Sequence, residues 1–275
     1  MRQLFQTRTI LFLITPALLF LALFFLLPLV FVLVDSVRDP SGLTLQRYGD
    51  FLAEDQTRNV YFRTLQLGVI VTGLAALMGY PAAYLIARLP ASRRALMMSL
   101  VILPLLTNPV ARTYAWLVIL GRNGFFNQTM IALGLIAEPI RIIYTENAIV
   151  IGLLQLFLPL MVLTLVSAME NIPTDVEEAA HSLGAGGLQT FLRVILPLSA
   201  DGLVLGGTLV FTGSITAYVT PAILGGTRVL MLATLLQQRA IALLDWSGAT
   251  IIAVVMIMTT LVINALLRQL RPRSA

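Results

Sequence analysis

Six apolar stretches run along the chain, at about 10–34, 63–87, 95–120, 145–169, 199–222 and 248–268, with short polar segments between them. Each approaches the roughly 20 residues that a helix needs to cross the hydrocarbon core. Lipid offers no partner for an unpaired backbone amide, so each stretch is expected to be helical. Pro16, Pro28, Pro81, Pro104 and Pro109 fall inside them, which spanning helices tolerate better than soluble ones. The pattern implies an all-α integral membrane protein of six transmembrane helices, with residues 1–275 forming one transmembrane domain. Arg2 and Arg8 precede the first stretch, as in a signal peptide. Its apolar run of about 25 residues is too long for a signal core, and no small-x-small cleavage site follows, so an uncleaved span is expected.

The polar positions at the segment ends set the orientation. Arg2 and Arg8, then Arg88, Arg93 and Arg94, then Arg268, Arg271 and Arg273 lie in three segments without an acid. The 35–62, 121–144 and 223–247 loops mix both signs. By the excess of basic residues on the cytoplasmic side, both termini and the 170–198 loop face the cytoplasm. That loop holds Glu170, Asp175, Glu177 and Glu178 against Arg193 alone, but acids weigh little in this rule.

Composition narrows the chemistry. Hydrophobic residues make up 58% and charged residues 11%, with a mean hydropathy of +0.92; a soluble domain carries about 25% charged residues. All 18 basic residues are Arg. A phosphate-binding loop of the usual ATPase kind needs a Lys, so the chain has no standard ATP site of its own. With no Cys and one His, disulfides, thiolate metal sites and Ser-His-Asp chemistry are excluded or remote. No catalytic residue, metal or cofactor is expected. The net charge of +5 is spread over segment ends, which suits membrane anchoring rather than a nucleic-acid partner.

The segment "VEEAAHSLGAGG" (176–187) interrupts the apolar pattern. Thr174 followed by Glu177 has the spacing of a capping box. A short helix over about 175–183 would end at Gly184 in the left-handed conformation. A second helix over about 187–196 would meet Pro197 before the fifth span. Ala179 and Ala180 present a small-residue face that another protein's groove can approach, and Glu178 a charged tether.

Glu178-Ala179-Ala180, Gly184 four positions after Ala180, and Val194-Ile195-Leu196-Pro197 after nine more residues resemble the "EAA" loop of binding-protein-dependent ABC importer permeases. The one departure is Val for Ile at 194. The segments "NPVARTYAWLVILGRNGFFNQ" (108–128), "TAYVTPAILGG" (216–226) and "DWSGA" (245–249) are similar to the spermidine/putrescine-type branch; the first 60 residues match only in hydropathy. The resemblance implies the type I importer permease fold, paired with a second six-helix permease around a central pathway. It implies an ATPase subunit dimer that receives the 175–184 helix through Glu177, Glu178, Ala179, Ala180, Gly184 and Pro197. It also implies a periplasmic or surface solute-binding protein, and residence in a bacterial inner membrane.

Polar groups at membrane depth usually face a cavity or one another. The third stretch carries Asn108, Arg112, Tyr114 and Trp116; these suit a solute pathway, or equally an arginine reaching the interface beside an aromatic belt. In the fifth stretch Thr208, Thr212 and Thr216 recur every four residues, and Ser214 and Tyr218 form a second such pair. This set suits a pathway lining, with interhelical hydrogen bonding as the alternative. Gly202 and Gly206 form a small-xxx-small step for close helix approach. No Asp or Glu lies within a span interior, which sits poorly with a polycation. Either a partner supplies the acids, or Tyr114, Trp116 and Tyr218 supply ring faces, or the cargo is another solute, anionic or amino-acid-like. A gradient-driven secondary transporter would need midplane ionisable groups and usually an internal repeat, and neither is evident.

Overall fold

The computed structural model describes residues 13–39 and 42–269. Arg2, Arg8 and the start of the first stretch lie outside them, as do Arg271 and Arg273. Apart from one small hairpin, the regular elements of the described chain are helices. In order come α1 (Leu13–Ser36), the antiparallel strands β1 (Arg38–Asp39) and β2 (Gly42–Leu43), α2 (Gln46–Ala53) and α3 (Asp55–Ala87). Then follow α4 (Ala91–Ile102), α5 (Pro109–Ile119), α6 (Phe125–Ala132), α7 (Glu146–Glu170) and α8 (Thr174–Ser182). The chain continues with α9 (Gly187–Leu198), α10 (Ala200–Thr216), α11 (Val219–Leu224), α12 (Leu232–Gln237) and α13 (Trp246–Gln269).

Among the described residues, four helices are long and apolar enough to cross a membrane: α1, α3, α7 and α13. The third and fifth apolar stretches are helical but broken by sharp bends. Between α4 and α5 the chain tightens through a 3-10 turn at Leu103–Leu106 and bends by 91°. Pro104 and Pro109 lack the amide that would continue the helix. Asn108 restarts it: its Oδ1 accepts from the amides of Val110 (2.8 Å) and Ala111 (3.4 Å), an N-cap. Between α9 and α10 the bend is 70°. Here Phe191–Ile195 forms a widened π turn just ahead of Pro197, and the Ser199 hydroxyl donates to the Ile195 carbonyl at 2.6 Å. The fifth helix ends at Thr216, short of 222, and 219–224 becomes the separate α11. α3 begins at Asp55 rather than near 63, because its polar first turn is held by side-chain bonds, Thr57 to Glu54 (2.7 Å) and Arg58 to Asp55 (2.5 Å).

The chain divides into two compact units, one of residues 1–58 with 236–257 and one of 59–235 with 258–275. In the first, α1 presents a continuous apolar face outward, including Phe20, Phe24 and Phe31. Tyr48 of α2 donates to the Ser36 hydroxyl at 2.7 Å, and Arg239 pairs with Glu54 (2.8 Å) and Asp245 (3.4 Å). Asp245 also accepts the Gly248 amide at 2.8 Å in the first turn of α13.

The second unit holds the core. Leu67, Val71 and Ala75 of α3, Ile149, Leu153, Met161, Leu165 and Met169 of α7, and Val210 of α10 are all fully buried there. Packing between lipid-facing helices comes from close van der Waals fit at small residues rather than from escape from water. Gly202 and Gly206 supply that fit between α10 and α7. A Cβ on Gly202 would sit 2.5 Å from that of Ala168, and one on Gly206 would strike the Thr164 hydroxyl and, at 2.7 Å, the Met161 sulfur.

Candidate functional site

Two polar assemblies stand out in the second unit. The first surrounds α8. The 88–94 turn and the 170–198 segment meet at one end of the unit, where Arg94 pairs with Glu170 at 3.1 Å. Glu177 is turned inward. One of its carboxylate oxygens takes the Arg88 guanidinium and the other accepts the Tyr84 hydroxyl at 2.9 Å. Arg88 lies over the Tyr84 ring, 5.8 Å from its centroid, and also reaches the Met169 carbonyl at 3.4 Å. Phe191 of α9 stands edge-on to both Tyr80 (5.5 Å) and Tyr84 (6.5 Å), and Tyr80 lies 3.2 Å from the Ser199 hydroxyl. The end of α3, the short α8 and the bent α9 are thus joined through one cluster of aromatic and charged groups.

The expected capping box is not formed. Pro173 occupies the N-cap and Thr174 the first helical position, with no side-chain cap bond. The carboxylate of Glu177 is drawn to Arg88 instead, since a buried charge needs a charged or hydrogen-bonding partner more than an exposed amide needs a cap. The far end of α8 follows the expectation. Gly184 has φ +85°, its amide donates to His181 O (2.9 Å), and the Ala185 amide donates to Ala180 O (3.0 Å). This pair of bonds is a Schellman turn, and glycine enters its left-handed position without strain. The His181 ring Nδ1–H donates to the Ala185 carbonyl at 3.0 Å and ties the turn off.

The outer side of α8 is open. Glu178 and Ala179 are exposed and Ala180 half-buried; Glu178 has no ion pair among the described residues. Leu183 is 89% and Leu188 74% exposed, so two leucines flank the glycine turn on the surface. Pro197 is exposed, in the last turn of α9. The helix therefore has a clamped face and a free face.

The second assembly is a set of polar groups on α5 and α10. Thr212 donates to the Asn264 side chain at 3.2 Å and Thr216 to the Thr212 carbonyl at 2.7 Å, while Thr208 is half-buried above them. Ser214 is fully buried, its hydroxyl without a partner among the described residues. Tyr218 falls outside α10, at the start of α11, and is 42% exposed. On α5, Arg112 turns back to the Pro104 carbonyl at 2.5 Å and braces the bend. Trp116 donates to Gln155 at 3.4 Å, and Tyr114 is exposed beside an open cavity. Among the described residues no hydrogen bond joins the Asn108–Trp116 set to the Thr208–Tyr218 set.

Sequence reading used Arg88 only for orientation and passed over Tyr80, Tyr84, Phe191 and Ser199 at the clamp, and Gln155 and Asn264 in the spans. For the last two a signal existed: a lone amide in an apolar run is expensive unless bonded. For Tyr84 and Arg88 none did, since an aromatic and an arginine at a helix end read as interfacial anchors.

Across residues 1–275 the sequence matches the family described as "Binding-protein-dependent transport system inner membrane component". The spermidine/putrescine transport system permease protein PotB of Haemophilus influenzae is 34% identical over 250 residues, 88% of this chain and 87% of that protein. PotB of Escherichia coli is 34% identical over 201 residues, 72% and 73% of the two chains. A more distant relative, the sulfate transport system permease protein CysW of Synechococcus elongatus, is 28% identical over 78% of this chain and 72% of its own. The fold resembles a chain of a bacterial alginate ABC transporter crystallised with an alginate pentasaccharide-bound periplasmic protein. The TM-score is 0.78 at 15% identity, covering 99% of this chain and 96% of that one. The chain, a multi-pass inner-membrane permease with several apolar helices and an exposed EAA loop, belongs to the family of binding-protein-dependent transport system inner membrane components.

Proposed function

We propose that this permease lines a solute pathway together with a second six-helix permease and is driven by a separate ATPase dimer whose surface groove receives α8. Residues 1–275 act as one permease domain of six spans, each bent pair counting as one, with both termini on the side of α8. The observation that carries this reading is the division of labour on α8. Glu177 is clamped to Arg88 and Tyr84, while Glu178, Ala179, Leu183 and Gly184 are exposed and Glu178 has no ion pair among the described residues. A helix held rigidly on one side and free on the other suits a lever that passes a push from a partner into α3 and α9.

The cargo we propose is a polyamine, on the likeness to the two PotB proteins. Thr208, Thr212, Thr216 and Tyr218, with Asn108, Arg112, Tyr114 and Trp116, are the proposed pathway set; Ser214 belongs to it by spacing alone. The missing span carboxylates would come from the second permease, and a solute-binding protein would deliver the cargo.

The chain has no native cysteine, which makes the test clean. A Leu183→Cys variant, assembled with the ATPase and second permease of its importer, should cross-link to the ATPase and to no periplasmic protein. Uptake of radiolabelled spermidine by the assembled complex should require ATP hydrolysis. Solute movement in vesicles without an ATPase would refute the lever, and uptake of sulfate but not spermidine would refute the cargo.

A further inference from the structure

The corner between α9 and α10 turns on one residue. α9 stops at Leu198, α10 begins at Ala200, and the two limbs meet at 70°. Ser199 between them has φ −95° and ψ +6°, against about −63° and −42° in a regular helix. Pro197 brings no amide to carry the helix through, and the Phe191–Ile195 turn ahead of it is already widened. A chain of three groups holds the corner. The Ser199 hydroxyl, fully buried, spends its one proton on the Ile195 carbonyl at 2.6 Å, with the Leu196 carbonyl at 3.4 Å as a weaker second acceptor. The Tyr80 hydroxyl, 3.2 Å from the same serine oxygen, is therefore the donor to it. Both residues are shielded from water, and hydrogen bonds in series polarise one another.

Two buried donors on the α8 side of this corner are left unbonded. Thr64, Thr72, Thr113, Thr129 and Thr216 each give their hydroxyl proton to the carbonyl four residues back. Thr190, buried just ahead of the widened turn, does not, and its hydroxyl has no partner among the described residues. The Nε of Arg88 is also buried and unbonded, although its other nitrogens reach Glu177 and the Met169 carbonyl. Thr190 precedes Phe191, and Arg88 covers the Tyr84 ring that Phe191 faces. Unmade bonds of buried donors are costly and rare, and stored strain is one reason for a protein to keep them.

We propose that Tyr80 and Ser199 are a positioning pair that latches a hinge at the α9–α10 corner. The inference rests on the reading of α8 as a lever and names where its movement goes. Phe191 is the relay: its ring stands at 90° to Tyr80, 5.5 Å between centroids, and at 78° to Tyr84, which holds Glu177 of α8. Displacing α8 shifts Tyr84 and Phe191, and parts Tyr80 from Ser199. Ser199 is then free to return to helical dihedrals, which straightens the corner. α10 carries Thr208, Thr212 and Thr216, so the swing reorients the proposed pathway face itself. The closed latch keeps α10 at its resting angle until α8 is moved.

The test uses the whole importer in proteoliposomes. Tyr80→Phe keeps the ring against Phe191 and removes only the donor. It should raise ATP hydrolysis in the absence of cargo about fivefold, the population change expected from losing one hydrogen bond, and lower the cargo moved per ATP. Ser199→Ala should act in the same direction. The double variant Y80F/S199A should add nothing to it, because the Tyr80 hydroxyl works only through Ser199. Spin labels on Leu192→Cys and Leu209→Cys, exposed positions on the two limbs, read the corner directly when the partner subunits are cysteine-free. Their separation should differ between the nucleotide-free and the vanadate-trapped importer, and Tyr80→Phe should shift the nucleotide-free value toward the trapped one. A lower melting temperature with cargo per ATP unchanged marks packing alone and overturns the pair, as does additivity in the double variant. An equal label separation in both nucleotide states overturns the hinge and leaves the lever standing if Leu183→Cys still cross-links to the ATPase. Absence of that cross-link refutes the lever itself and takes the relay with it.

Discussion

Arg88, one residue beyond the end of α3, and Glu177, in the middle of α8, form an ion pair whose side chains keep only 22% and 12% of their exposure. The two are 89 positions apart in sequence, and Tyr84 closes the pair with its hydroxyl. Glu177 is thereby separated in role from Glu178 beside it: one holds the helix to its own chain, the other faces outward.

Removing one partner of such a pair leaves a half-buried charge unmatched, at a cost of about 1–3 kcal/mol. Glu177→Gln should therefore loosen α8 without dissolving the spans. The expected result is ATP hydrolysis that continues while transport falls. The exchange variant Glu177→Arg with Arg88→Glu should recover part of the coupling. Measuring transport per ATP in proteoliposomes for both variants checks this, and equal ratios to the unaltered protein would count against the clamp.

At Gly184 the backbone is left-handed, and any Cβ would point into open space. Substitution therefore costs conformational energy, about 1 kcal/mol, rather than a clash. Gly184→Asn should be tolerated better than Gly184→Val, because Asn enters that region more readily and a β-branched chain does not. Pull-down of the ATPase by the two variants in detergent reads the difference directly. Similar retention by both would show that turn geometry is unimportant for docking.

Gly202 and Gly206 set the approach of α10 to α7. Gly206→Leu should expel Thr164 and Met161 from contact and lower the melting temperature of the purified permease sharply, whereas Gly207→Ala, whose added Cβ meets only Thr72 at 3.7 Å, should be near neutral. Thermal unfolding followed by fluorescence-detection chromatography distinguishes them.

The proposed pathway face carries its own test. Because the chain lacks cysteine, Thr216→Cys and Ser214→Cys give single thiols two positions apart. Thr216 is exposed and Ser214 fully buried, so a water-soluble thiol reagent should modify the first and spare the second. Thr212→Val should cost only about 0.6 kcal/mol through the lost Asn264 bond. A loss of uptake well beyond that would place Thr212 in the pathway.

Hydropathy by itself located all six apolar stretches, the loop between the fourth and fifth, and the small-residue step at Gly202 and Gly206. Each of these depends on near neighbours in the chain: an apolar run of spanning length, an acidic interruption, glycines one turn apart. The same is true of the Gly184 stop, where a local backbone requirement selects one residue type. Within 170–198 the spacing Glu178-Ala179-Ala180 to Gly184 to Pro197 was enough to single out the loop by its resemblance to the EAA signature, but not to tell that Glu177 turns inward.

What local pattern did not contain was the choice of partner. Glu177 had two destinations, the amide end of its own helix three residues away or the Arg88 guanidinium 89 residues away. Only the folded chain brings the second within reach, and a charge leaving water takes the stronger partner. The bends at Asn108 and Ser199 follow the same logic. Proline weakens a helix at a known place, but whether the helix runs on or turns by 91° or 70° depends on what receives the freed carbonyls. Here that is Arg112 at Pro104 and Ser199 at Ile195. Sequence determined which segments are apolar enough to enter a membrane and where the acidic loop interrupts them; tertiary packing decided which charges meet, because pairing depends on distances that chain separation does not encode.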